Sequence, residues 1–153
     1  MSRAYVALGA NLGDREATLR AALAELDAAH GVDVVAISSL ADTDPVGYLD
    51  QPRFLNGAAA LETSLAPREL LELLLTVERR FGRQRERVPE QGPRTLDLDV
   101  LLYESAEIDE PGLRIPHPRL HERRFVLEPL SELDSSLAVP GKGAVQALLA
   151  ELH

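Results

Sequence analysis

The chain has 153 residues, of which 45% are hydrophobic, and it carries a formal net charge of -9 at pH 7. We predict one domain over residues 1–153, because this length suits a single substantial core. The acidic balance argues against a general binder of nucleic acid or anionic membranes, and no apolar run is long enough to span a membrane. The absence of cysteine excludes disulfides and thiolate sites. No export signal precedes the first predicted strand, so the cytoplasm is the expected compartment.

The first third of the chain predicts two strands separated by a helix. Residues 4–8 read as a strand, a helix follows until Gly31, and residues 32–40 read as a second strand. The turn at residues 9–14 lacks the third glycine of a dinucleotide fingerprint and the GK[ST] of a P-loop, so we predict a structural turn. Residues 41–53 predict a loop, and a loop of this length in a small domain is often functional.

The middle of the chain adds a strand, a helix and a further strand. Residues 54–63 read as the third strand, and Pro67 opens a helix at the position that proline favours. Gly82 ends that helix, residues 83–91 form a second long loop, and the next strand begins at Leu96. The order βαββαβ is typical of the ferredoxin-like fold.

The remaining residues predict an extension of this core. Residues 107–108 and 113–115 form a short hairpin, Pro-His-Pro at 116–118 forms a rigid corner, and residues 123–133 and 145–152 form two closing helices. We therefore predict an α+β fold. It has a ferredoxin-like βαββαβ core, a mainly antiparallel sheet with helices on both faces, and a C-terminal hairpin and helix extension.

The strand that begins at Leu96 carries the clearest chemical signal. Apolar and acidic residues alternate along it, so that the apolar residues up to Leu102 lie on one face and Asp97 and Asp99 on the other. Two carboxylates so placed lie roughly 6.5–7 Å apart and repel one another unless a cation lies between them. Mg²⁺ suits this arrangement, since it binds one or two carboxylates together with substrate phosphates. Taken alone, the alternation favours a solvated strand face instead.

A run of arginines just before this strand changes that interpretation. More than a third of the basic residues lie within residues 79–94, namely Arg79, Arg80, Arg83, Arg85, Arg87 and Arg94. The planar guanidinium binds phosphate through two parallel hydrogen bonds. The first two arginines fit a solvated helix end, where a cation offsets the helix dipole. Arg83, Arg85 and Arg94 fit that role less well, and with the paired aspartates the run predicts a magnesium–polyphosphate site.

Four further residues are candidates, each with a structural alternative. His117 lies between two prolines and either caps a turn, the commoner case, or faces the same anion as Arg94. Phe54 and Phe125 favour core packing, and ligand stacking is the alternative. Asn56 shares a strand face with Phe54, and its amide suits either the edge of a heterocycle or a neighbouring backbone group.

Four stretches of the chain share a pattern with one enzyme family. They are residues 92–101 (GPRTLDLDVL), residues 7–13 (ALGANLG), residues 50–56 (DQPRFLN), and residues 115–118 (IPHP) with Arg123 and Phe125. In these stretches the chain resembles the 6-hydroxymethyl-7,8-dihydropterin pyrophosphokinases of folate biosynthesis. The resemblance implies an ATP-dependent diphosphotransferase that moves pyrophosphate from ATP onto the hydroxymethyl oxygen of the dihydropterin and releases AMP.

The resemblance also implies a set of site residues. Two Mg²⁺ ions would be held by Asp97 and Asp99, and ATP would be the co-substrate. The residues implied to act on the phosphates in catalysis are Arg83, Arg85 and Arg94. The residues implied to bind the pterin are Thr43, Val46, Phe54, Asn56 and Phe125. The residues implied to contact ATP are Glu78, Arg83, Arg85, Arg94, Val100, His117 and Arg123. Both partners would be small molecules, and the expected enzyme is a monomer that binds neither nucleic acid nor membrane.

Two positions depart from the family pattern, and two other functions stay open. Gln91 stands where the family usually has a tryptophan, and Phe54 replaces a frequent tyrosine, which keeps the stacking face and loses a hydroxyl. The alternative is a non-catalytic ferredoxin-like module that binds a small ligand or RNA, because fold alone does not decide function. RNA-binding versions carry a basic sheet, whereas this chain places acidic residues there. A different ATP-dependent transferase on the same scaffold is the second alternative.

Overall fold

The computed structural model describes residues 1–44, 52–81 and 96–152. Four of the predicted site residues, Val46, Arg83, Arg85 and Arg94, lie outside these ranges, as do Gln91 and most of the two predicted loops.

One five-stranded antiparallel sheet forms the centre of the fold. Its strands are β1 (Ser2–Ala10), β2 (Val32–Ile37), β3 (Ala41–Thr43), β4 (Phe54–Thr63) and β5 (Asp97–Tyr103). Their order is β2-β4-β1-β5, and the short β3 also pairs with β4. This order, in which the first strand lies between the third and fourth long strands, confirms the predicted ferredoxin-like core.

In the part of the chain that the structure describes, four α-helices cover the two faces of the sheet. They are α1 (Arg15–Ala28), α2 (Pro67–Arg80), α3 (Arg124–Leu133) and α4 (Val145–Glu151). The leucines of α1 and α2 pack on one face with Val6 and Leu98, and α3 and α4 pack on the opposite face with Tyr5 and Leu101. The prediction of helices on both faces is therefore confirmed, and no helix in the described ranges is long and apolar enough to cross a membrane.

The predicted C-terminal hairpin is present as β6 (Ile108–Glu110) and β7 (Leu113–Ile115). A second small hairpin, β8 (Ala138–Val139) with β9 (Gly143–Ala144), was not expected from the sequence. The second strand ends at Ile37 and is shorter than the predicted residues 32–40. Residues 41–43, predicted as loop, form β3 because their backbone pairs with the start of β4.

The last strand of the core contains a β-bulge that the sequence does not reveal. Val100 and Leu102 face consecutive residues of β1, so Leu101 is the extra residue in the β1–β5 ladder. Leu101 and Leu102 then both pack into the core under α3 and α4. The prediction that Leu102 shares a face with Leu96 is therefore wrong, because the bulge reverses the alternation after Val100.

Candidate active site

Three neighbouring strands bring two polar side chains and a glycine between them into one row across the sheet. Gly9 of β1 pairs with Asn56 of β4 on one side and with Asp97 of β5 on the other. Asp99 lies two residues further along β5, opposite Ala7. Adjacent strands are about 4.8 Å apart, so the amide and the first carboxylate stand roughly 10 Å from each other across the glycine. The row forms the floor of a narrow cavity.

Gly9 has this position because no larger residue fits between its neighbours. A Cβ atom on Gly9 would lie 2.6 Å from Asn56 Oδ1, well inside van der Waals contact. The sequence predicted a structural turn around this glycine and missed its place in the floor of the cavity. The signal was a glycine at the end of a central strand, where it often marks the close approach of another group.

If Asn56 binds the pterin that the sequence resemblance implies, the variant Gly9→Ala is expected to weaken that binding about tenfold, since the new methyl group must displace the Asn56 amide. Calorimetric titration with 6-hydroxymethylpterin measures the effect. The same substitution made in an Asn56→Ala background should have little further effect, because the amide that the methyl displaces is gone. An equal loss in both backgrounds would show that Gly9 acts independently of Asn56.

The remaining wall of the cavity comes from the segment that follows β7. The residues that line it together with the strand floor are His117, Arg123, Phe125 and Val126. The backbone N–H of His117 donates to the carbonyl oxygen of Leu101 at 3.0 Å, so the bulge residue anchors this segment to β5. The guanidinium of Arg123 lies 5.7 Å from the ring centroid of Phe125. The two predicted metal ligands, the predicted histidine and one predicted aromatic thus meet in one place.

The positively charged forms of two side chains that line the cavity, His117 and Arg123, are destabilised by burial and by neighbouring cations. Burial lowers the pKa of His117 below its ordinary 6.5, Arg123 lowers it further, and the nearby Asp97 opposes these effects. Burial also lowers the pKa of Arg123, assisted by Arg119 and opposed by Asp99 and Asp97. An anion at this end of the sheet would relieve the repulsion among these groups.

We expect the His117 ring to titrate below pH 6.5 in the free protein, and NMR titration of its ring protons measures this. The unfolded chain takes up this proton near 6.5 and the folded chain only at lower pH. The free energy of unfolding therefore falls as the pH drops below 6.5. The variant Arg123→Ala should raise the midpoint, because it removes a neighbouring positive charge. The matched control Arg124→Ala should not, since that guanidinium donates to Glu128 and Leu152 instead. A wild-type midpoint at or above 6.5 would contradict this account.

A second, larger cavity of about 650 Å³ opens beside the first. It lies between Leu71 of α2, Val100 of β5 and the β6–β7 hairpin. Asp99 and His117 line both cavities, so the two spaces meet at these side chains. The sequence predicted the hairpin but assigned it no role, because its residues carry no recognisable motif.

Glu78 is almost fully buried, with 1% of its surface exposed. Its Oε2 atom accepts a hydrogen bond of 2.7 Å from the backbone N–H of Leu98, which lies between the two predicted metal ligands. On the other side of the site, Asn56 Nδ2 donates to the hydroxyl of Thr43, which β3 places opposite Phe54. Phe54 is the first residue of β4 and lies on the same face as Asn56, but it is not among the residues that line the narrow cavity.

The donor set suits a magnesium ion that is shared with a substrate. Within residues 1–44, 52–81 and 96–152, no group of three or more His, Cys, Asp or Glu side chains could hold a metal by itself. Asp97 and Asp99 nevertheless line the same cavity, and two carboxylates completed by phosphate oxygens and water are a usual magnesium site.

Comparison with known proteins places the chain in a family. The sequence model of the 7,8-dihydro-6-hydroxymethylpterin-pyrophosphokinases matches residues 5–135. The chain belongs to this family. The pyrophosphokinase of Bacillus subtilis is 52% identical over 130 residues, which are 85% of this chain and 77% of that protein. The enzyme of Methylorubrum extorquens is 45% identical over 148 residues, 97% of this chain and 92% of that protein.

Solved structures with the same fold include the Plasmodium falciparum HPPK-DHPS protein, at a TM-score of 0.69 and 13% sequence identity. The match covers 98% of this chain and 44% of the Plasmodium chain, so this chain spans less than half of that protein. At such low identity the likeness supports the fold alone. The family assignment predicted from the sequence is confirmed, and with it the prediction of an enzyme, a pyrophosphokinase of folate biosynthesis.

Proposed function

We propose that this chain transfers the pyrophosphoryl group of ATP to the hydroxymethyl oxygen of 6-hydroxymethyl-7,8-dihydropterin, with release of AMP. The observation that supports this most is the meeting of two cavities at Asp99 and His117. Direct transfer of a pyrophosphoryl group between two substrates needs two binding sites that meet at the position of the transferred group. Family membership supplies the identity of the two substrates.

The narrow cavity is the proposed pterin site. Asn56 offers an amide to the edge of the ring, and Thr43 positions that amide through their hydrogen bond. Phe125 and Phe54 would stack against the two faces of the ring, and Val46, outside the described residues, would complete the pocket. A flat ring bound here points its substituent towards the aspartates on β5.

The larger cavity is the proposed nucleotide site. Val100 and Leu71 give it an apolar wall that suits a purine, and its volume is in the range of small-molecule clefts. The phosphates would run towards Asp99, His117 and Arg123. Arg83, Arg85 and Arg94 would neutralise the phosphate oxygens during the transfer. The resemblance implies that Glu78 contacts ATP, but its side chain is almost fully buried and accepts from the backbone N–H of Leu98. We therefore propose that Glu78 acts on the nucleotide side through the strand that it supports.

Asp97 and Asp99 are the proposed ligands of two Mg²⁺ ions. When bound, these ions would neutralise phosphate charge and orient the reacting oxygens. The residues of the chain then have the tasks of orientation and charge compensation, because phosphoryl transfer requires positioning more than a strong base. His117, whose pKa is lowered in the free protein by burial and by Arg123, can donate a ring N–H to a phosphate oxygen.

We further propose that residues 1–153 form one pyrophosphokinase domain that works as a monomer in the cytoplasm. Every residue given a role above belongs to this one chain, so one copy would supply a complete site.

The proposal is tested by the nucleotide product formed from ATP, Mg²⁺ and 6-hydroxymethyl-7,8-dihydropterin. Chromatography should show AMP and the pterin diphosphate in equal amounts, and neither without the pterin. Formation of ADP would indicate a different ATP-dependent transferase. If the chain binds both ligands and forms no product, it is the non-catalytic binding module.

A further inference from the structure

The first residue of α1 connects three separate segments of the chain. Arg15 Nη1 donates to Asp42 Oδ1 at 2.7 Å, and Nη2 donates to Asp42 Oδ2 at 3.1 Å, which is a two-point ion pair. The same Nη1 donates to the carbonyl oxygen of Arg53 at 2.9 Å. The helix start therefore binds the middle of one short strand and the residue that precedes the next strand.

The two segments that Arg15 joins carry the proposed pterin residues. Asp42 lies in the middle of β3, and Arg53 directly precedes β4. These strands pair antiparallel, with Thr43 opposite Phe54 and with Ala41 opposite Asn56. The position of β3 against β4 thus sets the distance between the side chains that would hold the ring.

Other hydrogen bonds and an ion pair join the same segments, at β3 and just before β4. Asn11, which is buried, donates to the carbonyl oxygen of Pro52 at 3.1 Å. Arg53 pairs with Asp44 at 3.3 Å and donates to the carbonyl oxygen of Asp42 at the same distance. The turn at residues 9–14, predicted to be structural only, is thereby fastened to the segment that leads into β4.

Arg15 is poorly placed to stabilise its own helix. A cation in the first turn opposes the helix dipole, which favours anions there. Its partner is also half exposed, and exposed ion pairs contribute little to the stability of the fold. The main effect of the Arg15 side chain is therefore to fix the positions of Asp42 and of the Arg53 backbone.

We propose that Arg15 is a positioning residue for the pterin substrate, acting through Asp42 and the backbone of Arg53. Without the hydrogen bonds of Arg15 to Asp42 and Arg53, β3 can shift along β4. The Thr43 hydroxyl then no longer fixes the Asn56 amide in the orientation that the edge of the pterin ring needs. The nucleotide site is unaffected, because its walls come from α2, β5 and the β6–β7 hairpin. This inference rests on the proposed pterin site.

The variant Arg15→Ala is expected to weaken pterin binding about tenfold, and to change the dissociation constant of a non-hydrolysable ATP analogue by less than about twofold. Calorimetric titration of the full chain with each ligand in the presence of Mg²⁺ measures both constants. The matched control is Arg20→Ala on the same helix, whose guanidinium pairs with the exposed Glu16 at 3.7 Å. This control should leave both constants unchanged.

Two further variants separate positioning from general stability. The lysine of Arg15→Lys can meet one carboxylate oxygen but cannot form the fork, so it should recover part of the pterin affinity. The exchange variant Arg15→Asp/Asp42→Arg should bind the pterin better than Arg15→Asp alone. Both recoveries of pterin affinity are compared only among variants whose thermal unfolding midpoints equal that of the wild type.

The results of these titrations distinguish the positioning role of Arg15 from the proposed pterin site itself. If the wild-type chain binds no pterin, the proposed pterin site itself is wrong. If the wild type binds and Arg15→Ala binds equally well, the positioning role is wrong and the function stands. Equal losses for pterin and nucleotide, or no recovery with lysine or the exchange variant, would reduce Arg15 to a structural residue and overturn the inference.

Discussion

Replacing Asp97 or Asp99 with asparagine is expected to lower kcat by about 10²–10³-fold or more, while the fold survives. An asparagine keeps the size of the side chain and one acceptor oxygen, but it removes the negative charge that a divalent cation requires. Both positions are only half-buried and lie at the start of β5, and neither belongs to the core on either side of the sheet. The rate of AMP release at saturating Mg²⁺ measures the effect.

The matched control for these variants is Asp33→Asn, a strand aspartate exposed on β2 outside both cavities. It should keep wild-type turnover, and all three variants should show similar thermal unfolding midpoints. If either Asp97→Asn or Asp99→Asn retained wild-type turnover at saturating Mg²⁺, the assignment of these carboxylates to the metal would be wrong.

Truncating the two aromatics of the pterin site is expected to produce the second largest effect. Stacking of a ring on an aromatic side chain is worth roughly 1–3 kcal/mol in nucleobase cases, so Phe125→Ala and Phe54→Ala should each weaken pterin binding about 5–150-fold. The affinity for an ATP analogue should change far less, since neither ring lines the larger cavity. Calorimetric titration with each ligand separates the two effects.

The third phenylalanine of the chain provides the control. Phe81 is partly buried and packs against the core under α1 and α2, away from the pterin cavity. The variant Phe81→Ala should lower thermal stability without favouring one ligand over the other. If all three variants lowered both affinities equally, Phe54 and Phe125 would be core residues, which is the alternative that the sequence left open.

Regular elements with a long apolar pattern could be predicted from the sequence. The third strand agrees with the structure at both ends, and α2 begins at Pro67 as expected, because proline fixes the backbone of a first helical turn. The alternation along β5 also placed Asp97 and Asp99 on one face, and both line the same cavity. These features depend on local sequence, which a single chain displays directly.

Features that depend on pairing between distant segments could not be predicted. The extra residue of the bulge at Leu101 is defined only by its partners in β1, so alternation along β5 alone cannot locate it. Residues 41–43 are too few to show a period, and they form a strand only because β4 lies beside them. The hydrogen bonds of Arg15 reach Asp42, which is 27 positions away in the sequence, and Arg53, which is 38 positions away. No local sequence pattern indicates them.

The crystal structure of the enzyme with Mg²⁺, a non-hydrolysable ATP analogue and 6-hydroxymethylpterin tests the central claim most directly. The account predicts that carboxylate oxygens of Asp97 and Asp99 coordinate both ions and that the purine lies against Val100. It also predicts a pterin ring that lies along Phe125, with its hydroxymethyl group directed towards the β-phosphorus. Ions bound away from these two aspartates, or a pterin in the larger cavity, would contradict it.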